Sequence, residues 1–489
     1  MLSPDSLFDA LRAHDARPAL QQNDRVLSCR EVLQETKLRA ERLRAAGCRR
    51  VAIALDNGLD WALWDLAVLQ AGLVCVPLPA FFSPEQRAHV LDSSGIDTLI
   101  VDDSRGFGSL GFGAASAQLA RRGVDAPPAL PAGTLKITFT SGTTGQPKGV
   151  CLDAASMLAV AHSLRQASQP CSIERHLCVL PLATLLENIA GLYAPLLAGA
   201  VVELLPMAEI GFSGASQFDV QRFLETLQRS QPHSLILVPQ LLLMLVTAAE
   251  HGAALPASLR FIAVGGGRVA PALLRRAERL GLPVYEGYGL SECVSVVCVT
   301  SPGARRIGTV GRPLPHVEVR IGAAGAVLVR GPRMLAYLGE APLQDEWLDT
   351  GDLGHVEDGF LILQGRSKHQ FITAYGRNVN PEWVESELVQ QAPIAQAWLH
   401  GEALPANVAV LVPRRPDLPD SALQAAVDTV NLELPDYARI HRWLRANQAF
   451  STANGLATGN GRLRREALLN RYRDAIDGLM ATEIMQGET

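Results

Sequence analysis

None of the eight cysteines is paired at C-x-x-C spacing, and none of the eleven histidines sits in an H-E-x-x-H pattern. Zinc sites and disulfide frameworks are therefore not expected. Single thiols scattered at 29, 48, 75, 151, 171, 178, 293 and 298 suit a reducing compartment, and a cytoplasmic location is expected. A basic excess is missing too. Lys and Arg number 44 against 49 Asp and Glu, a net charge of −5, which argues against a nucleic-acid binder relying on a basic face. A small basic patch for a phosphorylated ligand remains compatible with that balance. No stretch reaches about 18 uninterrupted apolar residues, so no membrane span is expected. The apolar run 235–247 (LILVPQLLLMLVT) is short and holds Pro239, and it reads as a strand followed by a buried helix. The first residues carry acids and lack a continuous apolar core, unlike a signal peptide. No internal repeat or low-complexity tract occurs.

What the chain does have is 489 residues of ordinary globular composition, 48% hydrophobic and 19% charged. That length is a prior of about three domains at roughly 150 residues each. Helical periodicity at 29–46, 61–71 and 84–93 alternates with extended apolar runs at 51–55, 74–78 and 98–101. Such alternation implies a parallel sheet with helices on its faces. Segments 106–113 (GFGSLGFG) and 126–131 (APPALP) read as loops, the second as a candidate internal linker. A helix is expected at 153–168 with Asp153 as N-cap. Buried strands are expected at 177–180, 201–205, 235–238 and 261–264. From about 307 to 364 the pattern becomes strand-rich, with Asp358-Gly359 as a two-residue hairpin turn. Beyond 366 it changes again, to helices at 381–391, 421–434 and 464–479 with a strand at 408–412. The expected fold class is α/β. A large N-terminal domain, 1–366, has mixed and parallel sheets, flanking helices and a β-rich subdomain. A small mobile C-terminal α+β domain, 367–489, follows a hinge at 366–368.

Residues 135–140 (LKITFT) alternate like a strand, 150–152 form a second one, and TSGTTGQPKG lies between. This is not G-x-x-x-x-G-K-[ST], whose loop opens directly into a helix. Its anion grip must come from other parts. Gly142, Gly145 and Gly149 let backbone N–H groups turn inward, Thr140, Ser141, Thr143 and Thr144 supply hydroxyls, and Lys148 supplies charge. A generic turn of this composition is usually just a turn. Here every residue type fits one ligand, a triphosphate.

The string TSGTTGQPKG resembles the signature of the adenylate-forming (AMP-binding) superfamily, which includes acyl-CoA synthetases, aryl-CoA ligases, peptide-synthetase adenylation domains and luciferases. The resemblance runs from about 27 to 466 in the family's order. YEGYGLSE at 285–292 resembles Y-G-x-[ST]-E. It implies Tyr288 stacked on adenine with Gly289 beside it, Ser291 at the α-phosphate and Glu292 on Mg²⁺, as suits a hard cation. Gly265-Gly266-Gly267 resembles the adenine-edge loop. Thr350-Gly351-Asp352 resembles the ribose motif, with Asp352 accepting from the ribose hydroxyls. Gly365-Arg366-Ser367-Lys368 resembles the hinge, where Arg366 contacts ribose or phosphate and Lys368 is the pivot. FITAYGRNVNPEWVE at 371–385 resembles the following segment, whose glycine, here Gly376, lines the thiol tunnel.

Two departures stand out. Residues 450–465 (FSTANGLATGNGRLRR) resemble the catalytic loop of the long-chain acyl-CoA synthetase branch, but Arg462 stands where the family has lysine. Its charge is kept, although a planar fork replaces a compact point charge. Residues 180–187 (LPLATLLE) resemble L-P-L-A-H-x-x-E of that branch, with Thr184 in place of an aromatic or histidine gate. The resemblance implies ATP, Mg²⁺ and CoA, a small-molecule carboxylic acid, and an acyl adenylate intermediate. Arg462, Lys148, Glu292 and Thr184 are the expected catalytic set. A phosphopantetheinyl carrier protein is the alternative acceptor. A non-catalytic nucleotide or acyl-ligand binder is the alternative of another class, motivated by Arg462. No nucleic-acid partner is expected.

Overall fold

The computed structural model describes residues 4–116, 118–140, 147–213, 217–458 and 461–486. Two large sheets dominate. In the first, Val74–Pro77, Arg50–Ile53 and Thr98–Ile100 run parallel at the centre, and antiparallel strands extend both edges. In the second, the parallel core runs Val284–Tyr288, Phe261–Val264, Ser234–Leu237, Arg175–Leu177, Val201–Glu203, Pro18–Gln22. The helix Leu59–Ala71 is apolar around nearly its whole circumference and is correspondingly buried. Its one buried acid, Asp65, meets Lys136 Nζ at 2.7 Å and receives a 2.6 Å hydrogen bond from the Tyr193 hydroxyl.

The expected parallel alternation is present, and most strand and helix positions agree within one or two residues. Helix Ala154–Ser168 is capped by Asp153, whose carboxylate accepts from Ser156 N at 2.8 Å. Strand Ser234–Leu237 is followed by helix Pro239–Glu250, resolving the apolar run as a strand and a helix. Three readings need correction. Residues Ser104–Leu110 form a 3-10 helix, because Asp103 caps it and Phe107 is drawn into the core. The strand expected at 177–180 is Arg175–Leu177, since the chain leaves the ladder after Cys178, whose N–H makes the last bond to the Glu203 carbonyl. The segment at 126–131 is no free linker: Arg50 Nη2 holds the Pro128 carbonyl at 2.6 Å.

A four-stranded antiparallel sheet follows, made of Glu318–Ile321, Ala326–Arg330, Leu348–Glu357 and Phe360–Arg366. Its last hairpin turns at Asp358-Gly359, both with positive φ (52° and 81°), as that dipeptide promises. Past it, Ile394–His400, Asn407–Pro413 and Ile440–Arg445 form a three-stranded sheet packed with helices Pro381–Leu388, Asp420–Glu433 and Arg465–Gln486. No helix among the described residues is long and apolar enough to cross a membrane.

Candidate functional site

A cavity of about 1670 Å³ opens where the parallel strands of the second sheet end, and it continues beneath that sheet. Strand Phe261–Val264 delivers Gly265 and Gly266 to its rim, while Gly267 does not line it, and strand Val284–Tyr288 delivers Gly289 and Ser291. A side chain at residue 289 would place its Cβ 1.8 Å from the Ser295 carbonyl oxygen, so only glycine fits. Clefts at the carboxyl ends of parallel strands are where such folds bind ligands.

Asp352 and Arg366 are cross-strand partners in the hairpin, and their side chains meet at 3.0 Å (Oδ1 to Nε). Tyr288 donates its hydroxyl to Asp352 Oδ2 at 2.7 Å. The carboxylate is further shaped by its turn: Asp352 N–H donates to Thr350 Oγ1, which in turn donates to the Val327 carbonyl. Burial raises the Asp352 pKa, opposed by Arg366 and by the Tyr288 hydrogen bond. Burial also raises the Tyr288 pKa, with Asp352 adding to it, so the phenol stays protonated and keeps donating.

Glu292 accepts from the Tyr337 hydroxyl at 2.7 Å, and no described residue bonds its second oxygen. Tyr337 lies in an edge strand of the first sheet and carries Lys148 5.0 Å above its ring. Lys148 also lies 3.6 Å from Glu340. It ends the loop, whose flanking strands Lys136–Thr140 and Lys148–Leu152 form an antiparallel pair. The loop therefore joins two strands. Thr140 lines the cavity. Ser141, Gly142, Thr143, Thr144 and Gly145 lie outside the described residues.

Arg462 reaches in from the C-terminal part of the chain, where its Nη2 donates to the Gly266 carbonyl at 3.3 Å. Its surface is open to water in the cleft, yet protein surrounds the cleft on most sides. That enclosure and the nearby Arg366 lower its pKa, while Glu382, Glu292 and Asp352 oppose the shift. Lys368 feels the same field, lowered by partial burial and Arg366. Thr184 lines the cavity, with its hydroxyl already donated to the Pro181 carbonyl at 2.7 Å. Gly376 is not brought to this cleft. It sits in a surface turn, where its N–H donates to the Thr373 carbonyl.

Sequence reasoning missed Tyr337 and Arg268, which no motif marks. Arg268 is a half-buried cation in the field of Glu286, Glu387 and Glu382, which oppose the lowering of its pKa by burial. It also assigned no role to His176, Ser234 and Glu187, which meet deep in the cavity wall. The one available signal was the terminal Glu of LPLATLLE.

Fold and cleft together define an adenylate-forming enzyme of the acyl-CoA synthetase type. Residues 7–336 match the family described as AMP-binding enzyme, and residues 368–483 match the AMP-binding enzyme C-terminal domain. The chain belongs to the AMP-binding enzyme family, as an enzyme of its acid–thiol ligase class. It is 30% identical to the indoleacetate–CoA ligase of Aromatoleum aromaticum, over 72% of this chain and 71% of that protein. It is 29% identical to a long-chain-fatty-acid–CoA ligase of Mycobacterium bovis, over 78% and 76% of the two chains. Among solved structures, it resembles the o-succinylbenzoate CoA synthetase of Bacillus subtilis in complex with its acyl-adenylate intermediate. That match has a TM-score of 0.77 at 25% identity and covers 95% of this chain and 98% of the other. The same Bacillus enzyme has also been solved with ATP and a magnesium ion.

Proposed function

We propose that this chain activates a hydrophobic carboxylic acid with ATP to an acyl adenylate and pyrophosphate, then transfers the acyl group to the thiol of CoA with release of AMP. The observation that carries this reading is the continuity of one cavity. Its mouth holds Tyr288, Ser291 and Arg462, with Asp352 and Glu292 behind them, and its depth is walled mainly by apolar side chains, with His176 and Ser234 among them. Relatives acting on indoleacetate, long-chain fatty acids and 2-succinylbenzoate support an acid–CoA ligase and leave the acid open.

A carboxylate is a poor electrophile because its leaving group would be oxide. Its attack on the α-phosphorus makes AMP the leaving group of the next step and expels pyrophosphate. The protein's task is to hold two anions together and neutralise their charge. In this reading the Tyr288 ring covers adenine, and Asp352, oriented by Arg366, accepts from the ribose hydroxyls. The Ser291 hydroxyl faces the α-phosphate. Thr140 and Lys148 hold the phosphate tail together with the hydroxyls and glycines of 141–145. Arg462 lies between the acid's carboxylate and the α-phosphate.

The donor set at Glu292 fits Mg²⁺: one carboxylate oxygen is fixed by Tyr337 and no described residue occupies the other. When bound, the ion supplies charge neutralisation of the phosphates. Transfer to the thiol needs Gly376 in the cleft, so a rotation of residues 367–489 about Lys368 is part of the proposal.

The acyl tunnel runs between the sheet and the helical segment after Glu187. Ala190, Ala194 and Ala198 recur every fourth residue on that segment and line the cavity, so their small side chains leave room for a chain. Thr184 stands at its entrance. The test is ATP/pyrophosphate exchange over a panel of acids, then product masses with CoA and with a carrier protein. Exchange with hydrophobic acids and acyl-CoA as product are expected. Retained ATP binding with no exchange for any acid overturns the reading.

A further inference from the structure

The tunnel floor is a strand surface, so pairing register decides what it presents. His176 pairs with Ser234, and Ser234 with Phe261. Residues directly opposite on neighbouring strands point to one face, so these three form one rung across the floor. The next aligned pair, Ile236 with Ala263, is apolar. Phe261 precedes Gly265 by four strand residues, which places the polar rung about 13 Å from the adenine-edge loop at roughly 3.3 Å per residue. His176, Ser234 and Phe261 all line the cavity.

The rung is wired. His176 Nδ1 lies 2.9 Å from Ser234 Oγ, and His176 Nε2 lies 3.5 Å from Glu187 Oε1. All three side chains are nearly closed to water. Glu187 opens a stretch of π-helix, Glu187–Tyr193, a distortion that recurs at functional sites. Gly191 makes the arrangement possible. A Cβ there would lie 2.6 Å from Glu187 Oε1 and 3.0 Å from His176 Nε2. Burial raises the Glu187 carboxyl, opposed by His176, Cys178 and the Leu180 backbone; as a carboxylate on Nε2 it fixes the imidazole tautomer with its proton on that nitrogen. Nδ1 is then an acceptor, the Ser234 hydroxyl donates into it, and the lone pairs of Oγ are left for the tunnel.

We propose that Ser234, oriented by His176 and Glu187, accepts a hydrogen bond from a hydroxyl or N–H on the distal part of the acid, so that the substrate class is acids with a polar far end. The inference rests on the adenylation reading for its location in the acyl tunnel. An alkyl chain covering Ser234 leaves its acceptor sites desolvated and unpaired, whereas a hydroxylated chain satisfies them. Sites built to hydrogen-bond a substrate discriminate strongly against analogues lacking the group. Ser234 is a specificity residue, while His176 and Glu187 are positioning residues.

The experiment uses the full-length protein with straight-chain saturated acids of graded length and their ω-hydroxy counterparts. Direct binding is read by calorimetry and adenylation by pyrophosphate exchange, for the native protein, Ser234→Ala and Ser234→Thr. At the length that reaches the rung, the native protein is expected to prefer the hydroxy acid about 10-fold in both readouts. Ser234→Ala should abolish that preference by weakening the hydroxy acid, and Ser234→Thr should keep most of it. Equal or better binding of the plain acid at every length overturns the inference, as does a preference that Ser234→Ala leaves intact. The native comparison stands without either variant. Absent exchange with a Ser234-dependent binding preference would remove the adenylation reading and leave this inference standing.

Discussion

Tyr288 donates to one oxygen of Asp352 at 2.7 Å while Arg366 holds the other at 3.0 Å. A carboxylate offers about four lone-pair sites, so two remain for a diol. Asp352→Asn exchanges one acceptor for a donor that faces hydroxyls. The KM for ATP in pyrophosphate exchange is expected to rise on the order of 10- to 100-fold, as for loss of hydrogen bonds to a charged group. Tyr288→Phe keeps the ring and loses one bond, so its effect should be the smaller. An unchanged KM in Asp352→Asn rules out the ribose assignment.

Arg462 Nη2 lies 3.3 Å from the Gly266 carbonyl, at the rim of the cleft. In the proposed mechanism its guanidinium lies where charge develops between carboxylate and α-phosphate. Arg462→Ala is expected to lower kcat for exchange by about 10²- to 10³-fold, the usual scale for losing one preorganised electrostatic donor. Arg462→Lys keeps the charge and should retain most of the rate. If the alanine variant turns over normally, the assignment of Arg462 is wrong. If lysine creates a rate the native protein lacks, a non-catalytic role gains ground.

Much of the scaffold was legible because strand and helix periods differ. The runs at 74–78, 98–101 and 261–264 could be read one segment at a time, each within a residue of the strand that forms, and Asp358-Gly359 marked its own turn. Asp352 and Arg366 were found through separate motifs, but that they face each other follows from hairpin register, which neither motif contains. Tyr337 was invisible because its link to Glu292 spans 45 residues and depends on an edge strand of the other sheet. The rung His176–Ser234–Phe261 needs three strands distant in sequence to align. The 3-10 helix at Ser104–Leu110 hid behind glycines that read as a loop.

Asp65 and Lys136 are a buried ion pair joined to Tyr193 and Asn188. Removing one charge strands the other without water. Lys136→Met is therefore expected to destabilise the N-terminal sheets by about 3–5 kcal/mol, read from denaturant midpoints. Asp65→Asn combined with Lys136→Met should recover part of that loss, because no uncompensated charge remains. A single variant as stable as the native protein would mean that the pair is water-accessible and not a core element.

Glu286 shares the buried face of its strand with Val284 and Tyr288. Burial pushes its carboxyl up to about 8 from 4.5, against the opposing pull of Arg268 and the Val269 N–H. The sign follows from proton counting. Between those two values the folded chain holds a proton that the unfolded chain has released, so stability falls as pH rises, by at most about 1.4 kcal/mol per unit. Above the folded value the loss levels off. Glu286→Gln keeps an acceptor for Val269 and cannot titrate. Its denaturation midpoint should therefore decline less than that of the native protein as pH is raised from about 6 to about 8, with the gap constant beyond. Parallel curves for the two proteins across that range would show that Glu286 is already ionised in the fold, with Arg268 outweighing burial.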